Sequence, residues 1–243
     1  MTRIGIIGAA GRMGREIAAV LEQGGEATLA GGADQGDDVG ALARASDVLV
    51  DFSQPAALAA NLGAAIAAAT PIVIGTTGLE AAGQRLIDAA AERIAVLQGA
   101  NMSLGVNLLA HLVREAAARL GPEWDIEIVE MHHRAKVDAP SGTALLLGQA
   151  AAAGRGVQLD AVSDRGRDGI TGARAPGHIG FASLRGGSVA GDHQLILAAD
   201  GERIELGHRA ESRIIFARGA VRAALWLAGK SAGRYAMADV LGI

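Results

Sequence analysis

The chain has no cysteine. That single absence removes disulfides, thiol nucleophiles and zinc–thiolate sites, and it fits a reducing compartment. Aromatic residues are scarce as well, with three Phe, two Trp and one Tyr among 243 residues. No basic segment is interleaved with aromatics and the net charge is −4, so a nucleic-acid partner is not expected. No apolar run is long enough to span a bilayer. The alanine-rich stretch 56–69 lies between Pro55 and Pro71 and reads as a packed helix, so no membrane partner is expected either. The opening MTRIGIIGAAG runs into a strand and turn instead of a charged region followed by a long apolar core, which predicts a cytoplasmic protein. Lysine is the last scarcity: Lys136 and Lys230 stand against 20 arginines.

Half of the residues are apolar, so the chain can bury one large core or two modest ones. Short apolar runs alternate with helical segments through the first hundred residues. Strands are expected at Ile4–Ile7, Ala27–Ala33, Asp47–Phe52, Ile72–Gly75 and Ile94–Gln98, with helices at Met13–Glu22, from Pro55, and at Leu79–Glu92. This rhythm predicts a Rossmann-like, doubly wound parallel sheet with helices on both faces. After Asn101 the pattern changes to a helix over Leu104–Leu120, a strand over Trp124–Met131 and a helix from Thr143. The stretch from Gly154 to Gly191 is rich in Gly and Arg, shows little periodicity and reads as a long functional loop. Strands at His193–Ala199 and Arg203–Leu206 and a helix over Ile214–Ala228 complete the pattern. They predict a second α+β domain with a mixed, largely antiparallel sheet.

Between the first strand and the first helix stands GAAGRMG, with Gly8, Gly11 and Gly14 three residues apart. Such a turn brings backbone amides to a helix N-terminus, where the dipole favours a pyrophosphate. Asp34 follows at the end of the second strand, where a ribose hydroxyl would be read. Its neighbour is Gln35 instead of arginine, and Asp37 and Asp38 add negative charge that disfavours a 2′-phosphate. NADH is therefore expected to serve at least as well as NADPH. Two further loops, Gly75-Thr76-Thr77-Gly78 and Gly99-Ala100-Asn101-Met102, fall at carboxyl ends of strands and suit a nicotinamide carboxamide. Ordinary turn and cap chemistry is the competing reading for both.

The densest chemistry is EMHHRAKVDAPSGTA at 130–144, with two histidines, one of the two lysines, an aspartate and a Ser-Gly-Thr turn. A partly buried lysine can be tuned to exchange a proton, which arginine cannot, and it is a compact charge for a carboxylate. His132 and His133 are adjacent on an expected strand and point to opposite faces, and no third ligand stands at a recognisable spacing. A metal is therefore not expected. A Ser-His-Asp set from Ser141, His132 and Asp138 lacks a nucleophile elbow and would leave the dinucleotide half unexplained. His111 reads as a half-buried core residue, and His178, His193 and His208 as solvated loop positions.

These motifs resemble the 4-hydroxy-tetrahydrodipicolinate (dihydrodipicolinate) reductase family. The likeness runs through GAAGRMG, DFSQP at 51–55, GTTG at 75–78, ANMSLGVN at 100–107, the 130–144 motif and HRAESRIIFARGAVRAALWL at 208–227. It implies reduction of a small cyclic dicarboxylate by NADH or NADPH in diaminopimelate and lysine biosynthesis. His132 would be the acid/base residue and Lys136 the proton donor, with His133, Ser141, Gly142 and Thr143 at the substrate. Gly8, Ala9, Ala10, Gly11, Arg12, Met13, Asp34, Gly75, Thr76, Thr77, Gly99, Ala100, Asn101 and Met102 would contact the cofactor. The likeness further implies a dinucleotide-binding domain of residues 1–103 and 213–243, and a substrate-binding domain of 104–212 that builds a homotetramer. Ala135 stands where the family commonly has a further histidine, and Gln35 where it has an arginine. Two other readings compete. One is a different two-domain nicotinamide-dependent reductase of imines or amino acids, of the aspartate dehydrogenase kind. The other is a dinucleotide sensor without catalysis.

Overall fold

Residues 1–243 are all described by a computed structural model. The elements run in order β1 (Thr2–Ile7), α1 (Arg12–Glu22), β2 (Ala27–Ala33), α2 (Val39–Ala45), β3 (Val48–Asp51), a 3₁₀ turn at Pro55–Ala57, and α3 (Leu58–Ala67). Then come β4 (Ile72–Ile74), α4 (Ala81–Ala91), β5 (Ala95–Gln98), α5 (Leu104–Leu120), β6 (Asp125–His132), α6 (Gly142–Gly154) and α7 (Leu159–Val162). The last are β7 (Ser163–Asp164), β8 (Ile179–Arg185), β9 (Gly191–Ala199), β10 (Glu202–Ala210), α8 (Ile214–Leu227), β11 (Gly233–Tyr235) and α9 (Met237–Leu241). They divide into two units, Met1–Leu104 with Ile214–Ile243, and Gly105–Arg213. No helix is long and apolar enough to cross a membrane.

In the first unit, strand alternation sorts the side chains onto two faces. Ile4 and Ile6 of β1, Val48 and Val50 of β3, Val73 of β4 and Leu97 of β5 pack with Ile17 of α1 and Ala220, Ala224 and Leu227 of α8. Ile7, Leu49, Ile72, Ile74 and Val96 turn the other way, onto Leu42 of α2, Leu58 and Leu62 of α3, and Ile87 of α4. The strand order is β11-β5-β4-β3-β1-β2, every pairing parallel. Strands β2 and β3 flank β1 on opposite sides, so the order reverses there and opens the crevice at which such sheets bind ligands. Three elements here escaped the sequence reading: α2, β11 and α9, each too short to show a period. The segment at Pro55 begins as a 3₁₀ turn with the proline in its first turn before α3 takes over.

The second unit is a five-stranded sheet, β10-β9-β6-β8-β7, antiparallel along β10-β9-β6 and parallel along β6-β8-β7. Ile126, Ile128, Leu195, Leu197, Ile179 and Phe181 face Leu109 and Val113 of α5 and Leu147 and Ala151 of α6. Truncating the fully buried Leu147 to alanine would cost about 3 kcal/mol by lost transfer and a residual cavity. The Gly/Arg-rich segment departs from expectation, since β7 and β8 form inside it. Beside the buried Ile179 and Phe181 of β8, it is anchored by charge. Arg174 donates to Glu127 at 2.9 Å, to Asp125 at 2.7 Å and to the Ile126 carbonyl at 2.9 Å, while Arg167 forks onto Glu127. His193 and His208 are not loop residues as expected: they lie in β9 and β10, with His193 buried and His208 half-buried. His178 sits just before β8, bonded to Asp164 at 2.9 Å.

Candidate active site

At the head of β1, the chain turns through Gly8 at a left-handed φ of +82° and enters α1 with Gly11 as its N-cap. Gly14 is buried in the first turn, where a Cβ would press into the carbonyl oxygens of Gly8 and Ala9. That close approach needs glycine, and it leaves the α1 N-terminus presented toward the sheet edge. Asp34, at the end of β2, accepts the Ala10 amide at 3.0 Å, while its own amide donates to Asp37 at 2.8 Å. Ala10, Gly11 and Arg12 are exposed; Ala9, Met13 and Asp34 are half-buried. A cradle with no room for a side chain, at the N-terminus of a helix and beside a carboxylate, fits the pyrophosphate and ribose of a dinucleotide.

The neighbouring strand ends supply the other two loops. Asp51, fully buried at the end of β3, accepts from the Ser53 amide at 2.8 Å, from Asn61 at 3.0 Å and from the Thr76 hydroxyl at 3.4 Å. This carboxylate ties the 51–55 and 75–78 loops together, leaving Thr77 exposed and Gly75 and Thr76 buried. In the last loop the Asn101 side chain accepts the Ser103 amide at 2.9 Å, and Met102 is buried with its carbonyl against Gly219 of α8. Gly99 and Asn101 are half-buried and Ala100 is exposed. All of these positions lie in the first unit.

The second group of residues lies in the other unit and is built on strand register. Glu130 and His132 are two apart in β6 and so share the buried face. Glu130 stands opposite His193 of β9 and Ser183 of β8, and His132 opposite Arg185. The Glu130 carboxylate, 1% exposed, lies 2.6 Å from His132 Nδ1 and accepts both Nη atoms of Arg185 at 2.9 Å and the Ser141 amide at 3.3 Å. Burial pushes this carboxyl up, but the bonds from Arg185 and His132 outweigh it and hold it below the ordinary range. The His132 ring meets the His193 ring edge-on, with centroids 5.0 Å apart. Burial first, then the neighbouring His132, push His193 down to about 4, so it is neutral at physiological pH.

Ser141 caps α6, its hydroxyl accepting the Ala144 amide at 3.1 Å and lying 2.9 Å from His193 Nε2. It is 2% exposed, and the more open positions of the turn are Gly142, exposed, and Thr143, half-buried. In the connecting loop Lys136 Nζ bonds Asp138 at 2.8 Å, and the Asp138 carbonyl accepts Arg185 at 2.6 Å. His133 is half-buried beside them. The structure thus gathers His132, His133, Lys136 and Ser141–Thr143 at one end of β6. It adds two residues that sequence reasoning missed, Arg185 and His193. Arg185 had no sequence signal, and His193 opens an expected strand yet reads in sequence as a solvated loop position.

A parallel sheet with a glycine turn at its switch point, carried in one chain with an acid–base cluster on a mixed sheet, defines a two-domain dinucleotide-dependent oxidoreductase. The family can be stated as well. Residues 2–102 match the family model described as dihydrodipicolinate reductase, N-terminus, and residues 105–241 match its C-terminus. The chain belongs to the dihydrodipicolinate reductase family. It is 61% identical to the 4-hydroxy-tetrahydrodipicolinate reductase of Zymomonas mobilis, over 99% of this chain and 97% of that one, and 54% identical to that of Parvibaculum lavamentivorans, over 99% and 98%. Among solved structures, the dipicolinate-bound dihydrodipicolinate reductase from Paenisporosarcina sp. TG-14 shares the fold with a TM-score of 0.81 at 23% identity, covering 98% of each chain.

Proposed function

We propose that the protein reduces 4-hydroxy-tetrahydrodipicolinate to tetrahydrodipicolinate in diaminopimelate and lysine biosynthesis. The balanced reaction consumes one NAD(P)H and one proton, and releases water and NAD(P)⁺. The full-length identity to reductases of this name carries the reading, and the cluster at the end of β6 supplies groups suited to the chemistry. The dinucleotide, when bound, supplies a hydride. The first-turn amides of α6 at Gly142 and Thr143 and the Lys136 ammonium take one substrate carboxylate, with His133 alongside. Lys136 delivers the proton that completes reduction, and His132 acts as acid/base at the reacting ring. Ser141, bonded to Glu130, Ala144 and His193, shapes the turn that the carboxylate meets.

On the cofactor side, the residues 8–13 turn takes the pyrophosphate, Asp34 the ribose, and the 75–77 and 99–102 loops the nicotinamide. Gln35 brings no positive charge to a 2′-phosphate, and Asp37 and Asp38 repel one, so NADH serves at least as well as NADPH. The protein works in the cytoplasm as a homotetramer, for which the β6–β9 face bearing Val129, Met131, Gln194 and Ile196, turned away from α5 and α6, is the candidate surface. The deciding experiment generates the unstable substrate in place from pyruvate and aspartate semialdehyde with its synthase, and follows nicotinamide absorbance with NADH and NADPH separately. Substrate-dependent oxidation by both, with NADH no worse, is the expected result. Cofactor binding by folded protein without oxidation would overturn the reading in favour of a sensor.

A further inference from the structure

We infer that Glu130 is a positioning residue for the reduction: it fixes His132 in the tautomer that carries its proton on Nδ1, so that Nε2 is the atom that exchanges a proton with the ligand. An ionised carboxylate only accepts hydrogen bonds, so the 2.6 Å contact requires Nδ1 to be the donor. A neutral imidazole has one N–H, and with it committed to Glu130 the lone pair is left on Nε2. Arg185 keeps the carboxylate ionised with its two-pronged bond and reaches on to the backbone carbonyl of Asp138, whose side chain accepts Lys136. His132 Nε2 lies beside Gly191, whose φ is +158° and where a Cβ would stand only 3.0 Å away, so a glycine keeps that side of the ring open.

The same carboxylate does a second thing. Its Oε1 accepts the Ser141 amide while its Oε2 meets His132, so one buried group sets the distance between the acid/base residue and the helix start that takes the substrate carboxylate. His193, edge-on to His132 and bonded to the Ser141 hydroxyl, closes the ring of contacts from β9. Loss of the carboxylate therefore misplaces the acid/base group and the anchor together, while the dinucleotide turn, in the other unit, is untouched.

Nitrogen-15 histidine spectra of the full-length protein read the tautomer directly, with the His132 signals identified by their loss in His132→Gln. Wild type is expected to show a protonated Nδ1 and an unprotonated Nε2 on the neutral ring. Glu130→Gln should give a mixture of tautomers and a turnover number lowered about 10- to 100-fold, with dinucleotide affinity unchanged and partial recovery in Glu130→Asp. The inference is overturned by an Nε2–H tautomer in the wild type, a measurement that needs no variant to fold, or by a folded Glu130→Gln with full turnover. Its kinetic half rests on the reductase reading, and wild-type activity in the same assay separates the two failures. An active wild type with the other tautomer sinks the Glu130 assignment alone, whereas an inactive one sinks the reductase reading itself.

Discussion

The glycine turn of the first unit and the histidine cluster of the second are made of opposite materials. The turn is built from backbone and from missing side chains: Gly8 at positive φ, Gly14 pressed against two carbonyl oxygens, and a helix start capped by Gly11. All of its parts but Asp34 lie within seven residues. The cluster is built from charged and polar side chains that meet across the sheet, with Arg185 reaching Glu130 over 55 positions and Ser141 meeting His193 over 52. A backbone site tolerates changes of charge but not of volume. A side-chain network behaves the other way round, because its buried charges are held only by their partners.

The sharpest break in that contrast comes from volume. Gly14→Val should abolish measurable dinucleotide binding and destabilise the first unit by about 2 kcal/mol or more, since the new carbons overlap backbone that has nowhere to go. Arg12→Ala, at an exposed position two residues earlier, should leave the melting temperature unchanged. Fluorescence titration with NADH and a thermal melt check both, and equal behaviour of the two variants would refute the backbone account of the turn. In the cluster, charge should dominate. Lys136→Met conserves length and bulk, yet the turnover number should fall by about 10² or more with cofactor affinity kept. Unchanged turnover would remove the lysine from the mechanism.

A subtler effect separates the units by pH. His193 is pushed down to about 4 in the folded protein, first by burial, whereas in the unfolded chain it titrates near 6.5. Between those values the unfolded state binds a proton that the folded state refuses, so stability falls as pH drops from about 6.5 to about 4. Glu130, held below its ordinary range, adds a loss in the same direction at lower pH, as its carboxylate protonates. Denaturant melts across pH 7 to 4 should show a shallower decline for His193→Gln than for wild type. An identical decline would mean that His193 is not kept neutral by its surroundings.

This same division explains what could be read from the sequence. The parallel sheet, the turn and the order of its loops were legible because strand alternation and glycine spacing are local signals. Helix α5 was read to the residue because seventeen residues give the helical period time to show. Helix α2, strand β11 and helix α9 are too short for any period. Strand β11 is held at the sheet edge by Arg234, which bonds Gln84 at 2.5 Å and Gln98 at 2.7 Å from far along the chain. Strand β8 was hidden in a Gly/Arg-rich stretch anchored by charge. The histidine motif announced its chemistry, but what Glu130 does there was not legible. Its role depends on Arg185 and His193, which only the β6–β8 and β6–β9 registers bring beside it.

The smallest effect tests charge at the backbone-built site with its geometry held fixed. Asp37 accepts the Asp34 amide at 2.8 Å, and asparagine can accept the same bond through its amide oxygen. Asp37→Asn therefore removes one negative charge and leaves the bond from the Asp34 amide in place. If a 2′-phosphate carrying up to two charges sat about 8 Å away in water, it would feel that charge by roughly 1 kcal/mol before salt screening and about half or less after it. The variant should then raise kcat/KM with NADPH about two- to threefold relative to NADH, with the gain shrinking as ionic strength rises. A larger gain that salt does not reduce would mean that Asp37 acts on a 2′-phosphate by shape and not by charge.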